Sequence, residues 1–395
     1  MNENWINPNI IIGSVAIGDN FFRRDDLVEK IWEKIKFGQS ILLAAPRRVG
    51  KTSVMQYMAN QPTENFKLIF QNIQGIRSGN EFFERFYAMI LSCLDTSTKA
   101  KNWFDNFKTS KTIKSIGMNG IEFETKPTDF VMATNTLLKE INDNQEIDTM
   151  VLLLDELPEM LFKINKMNNN DAISILTNLR RWRQQPDMNK KVVFVFAGSV
   201  GIHYVVDIID QRNTNINDLD TIYFDPLSDE EAHNYIDWAT QGASITYSTQ
   251  LKKYLLSKTN YYVPYFINIL LDEVNKQAKK ANNPIITEQN IEDAFDMVVR
   301  QNDYFKDWKK RLKDYMKKAD FDFVNEILIH TAHKGAISLQ EIFDKAVKHD
   351  KTSDYMEFID NLEKDGYIVA GNDTYRFITP FLSAFWKRNN PIYNS

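Results

Sequence analysis

Gly50, Lys51 and Thr52 stand where an apolar run, Ile41-Leu42-Leu43-Ala44-Ala45, gives way through Pro46-Arg47-Arg48-Val49 to a segment of helical character. Those residue types in that order suit the holding of a phosphate chain. Glycine lets the backbone approach phosphate oxygens closely. The amides of the turn and the N-terminal end of the following helix present partial positive charge to the same spot. Lys51 supplies a mobile cation for the β- and γ-phosphates, and the Thr52 hydroxyl a ligand for Mg²⁺. The segment Pro46-Arg47-Arg48-Val49-Gly50-Lys51-Thr52-Ser53 is therefore the candidate nucleotide-binding loop. The full pattern, Gly-x-x-x-x-Gly-Lys-Ser/Thr, has a glycine where this chain has Ala45. Alanine is tolerated there provided φ stays negative.

A phosphate loop needs acidic partners. The apolar run at 150–154 ends in Asp155-Glu156, two carboxylates at the C-terminal edge of a parallel sheet, where open α/β sheets bind their ligands. Asp155 is placed to hold Mg²⁺ through water, and Glu156 to polarise the water that attacks the γ-phosphate. Standing alone, the pair would read as the cap of the helix that follows. A further run, 192–197, ends in Ala197-Gly198-Ser199. Ser199 at that tip, expected beside the end of the second run, is a candidate to sense the γ-phosphate or orient the attacking water; the plainer alternative is a helix N-cap.

The elements that must position these groups follow from patterning. Apolar runs recur at 41–45, 68–73, 150–154, 192–197 and 222–224, several of them apolar at every position. That is the pattern of central strands covered on both faces. Helical stretches at 80–94, 129–142 and 172–184 alternate with them, which predicts a doubly wound α/β core with a parallel sheet. Residues 96–127 interrupt the alternation and read as an insertion on the sheet edge, with a hairpin turning at Asn119-Gly120. Ser228 followed by Glu231 forms a capping box that opens an all-helical stretch over 229–300. Helices near 305–317, 320–332, 338–348 and 354–365 then precede two short β runs joined at Gly371-Asn372-Asp373. Three helices closed by a hairpin predict a winged helix. The expected domains are thus a core at 1–226, a helical lid at 227–300 and a winged helix at 304–395.

Bulk properties exclude several classes. A net charge of −5 over 395 residues gives no global basic field. One cysteine, Cys93, makes neither an internal disulfide nor a thiolate metal cage, and five histidines show no ligand spacing. No apolar stretch is long enough to span a bilayer and the N-terminus lacks the basic start of a secretion signal, so a cytoplasmic protein is expected.

Taken together, Pro-Arg-Arg-Val-Gly-Lys-Thr, the run ending in Leu-Asp-Glu, the Ala-Gly-Ser tip and Asp225-Pro226-Leu227-Ser228-Asp229-Glu230-Glu231 resemble the archaeal-type ATPases, a branch near the AAA+ and STAND families. The resemblance runs from about residue 10 to the Tyr375–Pro380 stretch. It implies a P-loop NTPase core, a helical lid and a C-terminal winged helix, with ATP and Mg²⁺ as ligands. Phe21-Phe22-Arg23-Arg24-Asp25-Asp26-Leu27 resembles the family's entry motif, which implies that Arg24 lines the adenine pocket. Tyr262-Val263-Pro264-Tyr265 resembles its Gly-x-Pro-Tyr signature, which implies a nucleotide contact by Pro264; Tyr262 stands at the glycine. Such ATPases also complete their site with an arginine from the same chain or a neighbour, so a homo-oligomer is compatible. Arg212 is the first candidate, ahead of Arg180, Arg181 and Arg183.

Three functions compete on this reading: an ATPase acting as a conformational switch, a DNA-binding ATPase resembling origin-recognition proteins or mobile-element regulators, and a nucleotide-binding scaffold. The helix before the wing carries Asp354, Glu357, Asp360, Glu363 and Asp365 against Lys364. Pushed between phosphate backbones it would be repelled, which favours a protein partner over nucleic acid. The basic stretch Lys306, Lys309, Lys310, Arg311 and Lys313 keeps the nucleic-acid alternative open.

Overall fold

The all-apolar runs at 150–154 and 192–197 become interior strands, buried along their length. The computed structural model describes residues 5–44, 46–61, 65–95, 101–110, 113–117, 120–123, 129–198, 201–210, 215–301 and 303–393. By internal contacts the chain divides into two units, one of Arg23–Ala45 with Lys51–Phe224, the other of Met1–Phe22 with Pro46–Gly50 and Asp225–Ser395.

In the first unit the elements run α1 (Asp25–Lys36), β1 (Ile41–Ala44), α2 (Lys51–Asn60), β2 (Phe66–Asn72), α3 (Gly79–Asp95), α4 (Lys101–Ser110), β3 (Ile113–Gly117), β4 (Gly120–Phe123), α5 (Phe130–Asp143), β5 (Thr149–Asp155), α6 (Leu157–Met167), α7 (Asn169–Gln184), β6 (Val192–Ala197), α8 (Ile202–Asp210) and β7 (Asp220–Tyr223). Five strands form a parallel sheet in the order β2-β5-β6-β1-β7. The two strands with almost every residue buried, β5 and β6, are interior ones, whereas edge strand β2 is half-buried along its length. Burial of the helix layer is dominated by aromatics: Phe86 of α3 stacks on Trp182 of α7 at 4.6 Å and on Phe194 of β6 at 6.0 Å. Each such ring contributes roughly 1.5–3 kcal/mol by leaving water.

One placement differs from expectation. Strand β6 lies between β5 and β1 rather than beside β2, whose partner is β5. The expected hairpin, β3-β4, forms a separate two-stranded sheet packed by α3 and α4. Gly120 opens its second strand; Asn119 lies outside the described residues.

The second unit continues with α9 (Asp229–Thr240), α10 (Thr249–Thr259), α11 (Pro264–Ala281), α12 (Glu288–Arg300), α13 (Lys306–Tyr315), α14 (Lys318–Lys334), β8 (Ile337–Ser338), α15 (Leu339–Lys348), α16 (Tyr355–Lys364), β9 (Ile368–Ala370), β10 (Thr374–Phe377) and α17 (Pro380–Asn389). The capping box at Ser228 and Glu231 forms, and Ser338 with Glu341 makes another at α15. Strands β8, β10 and β9 make a three-stranded antiparallel sheet. Phe381 of α17 stacks on Phe266 of α11 and on Phe305, and meets Phe295 of α12 at 4.8 Å. One aromatic core therefore ties α11 and α12 to α17. The N-terminal segment lies along this unit: Trp5 Nε1 donates to Asn275 Oδ1, and Asn268 Nδ2 to the Ile11 carbonyl. Among the described residues no helix is long and apolar enough to cross a membrane.

Candidate functional site

Strand β5 delivers Asp155 to the carboxyl edge of the sheet, and α2, starting at Lys51, brings Thr52 to meet it. Thr52 Oγ1 donates to Asp155 Oδ2 at 2.6 Å, and the Glu156 amide donates to Asp155 Oδ1 at 3.0 Å. Residues more than a hundred positions apart thus share one point. Asp155 is 1% exposed and Lys51 7%. Burial pushes the Asp155 carboxyl above its ordinary range; the Thr52 hydroxyl pulls it back, Glu156 pushes it up again and the Lys51 ammonium draws it down, yet the net direction stays upward. A carboxylate so placed gains most from a further cation. The Thr52 hydroxyl, its proton directed at Asp155, keeps its lone pairs for one. The donor set is all hard oxygen, which suits Mg²⁺.

Glu156 adopts the left-handed region at φ 63°, an uncommon state for a non-glycine residue. It occupies the N-cap of α6, yet its side chain makes no capping hydrogen bond. The helix-cap alternative for this carboxylate therefore has no support. Pro158 in the first turn of α6 packs so closely on Gly198 that a Cβ there would sit 2.3 Å from Pro158 Cδ. That contact explains the glycine at the tip of β6.

The turn before Lys51 has its own environment. Arg48 is left-handed at φ 70° and Gly50 at φ 98°, the second a conformation glycine adopts without steric cost. Val49 is buried, while Pro46, Arg47 and Arg48 are half-buried. The Arg47 guanidinium lies 3.7 Å from the Asp307 carboxylate, and Arg48 sits over the Tyr265 ring at 4.6 Å. Burial, together with Arg311 and Arg48, lowers the Arg47 pKa against the pull of Asp307. Pro46 in turn abuts Gly366, where a Cβ would lie 2.5 Å away.

A Walker-type ATPase of Pyrococcus abyssi superposes on the chain with a TM-score of 0.62 at 13% identity, covering 96% of this chain and 99% of that one. The ORC2 protein of Aeropyrum pernix, in its ADPNP–ADP complexes, does so with a TM-score of 0.53 at 12% identity, covering 98% and 96%. The fold is that of a P-loop ATPase. No protein-family model and no curated protein matches the sequence.

Within this P-loop fold the structure brings Lys51, Thr52, Asp155 and Glu156 together and leaves other expected residues elsewhere or undescribed. Ser53 is buried on the same first turn of α2. Arg24 immediately precedes α1 and is half-buried. Pro264 opens α11 as its first residue. Ala45, Ser199 and Arg212 lie outside the described residues. Arg183 is not available as a transition-state arginine: it is buried, forms a two-pronged pair with Asp218 at 2.8 and 2.9 Å, and donates to the Asn215 carbonyl. Arg180 and Arg181 donate to Gln184 and Gln185 one turn on. One residue escaped sequence reasoning. Asn72, the last of β2, stands opposite Asp155 in the strand register, and its Oδ1 accepts from the Gln74 amide at 3.0 Å. No local signal singled it out, because the run at 68–73 continues through it to Ile73.

Proposed function

We propose that the chain is a Mg²⁺-dependent ATPase whose nucleotide state drives a conformational switch. The observation that carries this reading is the Thr52–Asp155 hydrogen bond at the carboxyl edge of the sheet, with the buried Lys51 next to Thr52 in the chain. On this reading the amides of residues 46–50 and the Lys51 ammonium hold the triphosphate, with Thr52 and Asp155 as the residues that hold Mg²⁺. Bound Mg²⁺ supplies positive charge to the β- and γ-phosphate oxygens. Glu156 takes the proton of the attacking water, Ser199 orients that water, and Arg212 offsets the developing charge. Arg24 lines the adenine pocket and Pro264 meets the nucleotide from α11.

We read the second unit as a helical lid over 227–300 and a winged helix over 304–395, its three helices being α14, α15 and α16 and its wing β9-β10. Repositioning of that part after hydrolysis is the output of the switch, delivered to a protein partner. Nucleic-acid binding is the second reading, favoured by the exposed Lys306, Lys310 and Lys313 on α13 and opposed by the exposed Glu357 and Asp360 on α16.

Phosphate release from ATP tests the proposal. Wild-type protein should turn over ATP with Mg²⁺ and stop with EDTA, and duplex DNA should leave the rate unchanged. Absence of Mg²⁺-dependent turnover in the wild type would sink the enzymatic reading, and DNA stimulation that fades with salt would promote the second.

A further inference from the structure

Helix α15 satisfies its own core with Ile342 and Ala346, both fully buried. It nevertheless carries a second apolar row. Leu339, Phe343 and Val347, spaced four apart and therefore neighbours along one face, are 38%, 39% and 58% exposed. Tyr355 of α16 extends the row by meeting the Phe343 ring edge-on at 5.7 Å, and Met356, the next residue, is 37% exposed. Exposed apolar residues scattered singly mean little, but a contiguous ridge across two helices marks an interaction surface.

The charges around the ridge decide what fits it. Three of the neighbouring lysines are turned to the unit's own acids, Lys345 and Lys348 to Glu326 and Lys351 to Asp320, which leaves the exposed Lys364 at the end of α16 as the cation on that helix. Asp344 on α15 and Glu357 and Asp360 on α16 have no ion-pair partner among the described residues, and all three are exposed. The rim is therefore net acidic around an apolar centre.

We propose that this ridge docks an amphipathic, positively charged helix of a partner protein, its apolar stripe on Leu339, Phe343 and Val347 and its Lys/Arg residues against Asp344, Glu357 and Asp360. The inference rests on the reading of this end of the chain as a protein contact, not on ATP turnover. A peptide selection keeps the two apart. A phage-displayed library of helical peptides, about 16 residues or four turns long, is selected against the full chain. Enriched peptides should carry large apolar residues at i and i+4 and a net positive charge. By fluorescence anisotropy, F343D and V347D should each weaken the best of them by about tenfold or more, as loss of a buried anchor does. Raised salt should weaken binding too, and the E357K/D360K variant should select acidic peptides instead. ATP turnover should be unchanged in these variants, so its loss from the wild type alone would touch only the enzymatic proposal. Enrichment of neutral or acidic peptides on the wild type, indifference to both ridge variants, or no enrichment would overturn the inference. Self-association of the wild type that F343D abolishes in sedimentation would overturn it as well, by making a second copy the occupant.

Discussion

Asp155 is buried and Glu326 half-buried, and the protein treats the two carboxylates in opposite ways. At the end of β5, Asp155 has a hydroxyl, an amide and one ammonium for company, and burial still wins, holding its carboxyl above the ordinary range. On α14, burial also acts to raise Glu326, but His349, Lys348 and Lys345 outweigh it and hold the carboxyl down at about 2. His349 Nε2 lies 2.7 Å from Glu326 Oε2. The contrast separates a charge that gains from a cation arriving with a ligand from one already answered by its own chain. Carboxylates of the first kind are candidates for sites, while those of the second act within the scaffold.

Glu156→Gln should break the first region most sharply. If Glu156 is the base of the proposed reaction, the variant should lower turnover by about 10²–10⁴-fold, while ATP affinity stays within about threefold in a filter-binding assay. Turnover close to the wild type would move the base elsewhere. Lys51→Ala comes next. Removing a buried charge that faces phosphate should weaken ATP binding by roughly two to three orders of magnitude, read by calorimetry. Unchanged affinity would remove the phosphate-loop assignment.

Glu326→Gln tests the other side with a smaller effect. A carboxyl whose folded pKa lies below its ordinary 4.5 stabilises the fold at pH values above about 4.5, and the contribution fades as pH falls from there to about 2. The variant should lose on the order of 1 kcal/mol at neutral pH, modest because the cluster is partly solvated. Its stability should then be flatter than the wild type's across that acid window, seen as hydrogen-exchange protection of α14 and α15. Parallel pH profiles would show that the three cations do not act through Glu326.

How legible these regions were follows from the range of the contacts that make them. The five strands could be read because burial on both faces leaves an all-apolar run, and Asp155-Glu156 because carboxylates that end such a run stand out. Thr52, which the structure brings to Asp155, stood out with Lys51 because Gly-Lys-Thr falls between an apolar run and a helical segment. The position of β6 between β5 and β1 was not legible, since strand order depends on crossovers that leave no local mark. Helix α17 went unread although Pro380 at its first position signals a start; its aromatics matter through Phe266 and Phe305, which no local pattern reveals. Arg183 misled because an arginine's solvated and buried lives look alike in sequence, and Asp218 fixed the second.

Arg47 offers the finest test, because its neighbours set two charges of one sign against a single opposite one. Arg311 and Arg48 join burial in lowering its pKa, and Asp307 at 3.7 Å opposes them. A half-exposed pair at that distance is worth at most about 1 kcal/mol, so the effects are small and their signs carry the information. If the Arg47 guanidinium serves phosphate, Asp307→Ala releases it from a competing anion and ATP binding should tighten by about two- to threefold, whereas Arg47→Ala should weaken it by a similar factor. Both changes should shrink as salt rises, since screening acts on each charge alike. If Arg47 instead only seats the turn against Asp307, the two substitutions should weaken binding together, and the double variant should be no worse than either single one. Opposite signs are the expected result, and calorimetry at two salt concentrations separates the cases.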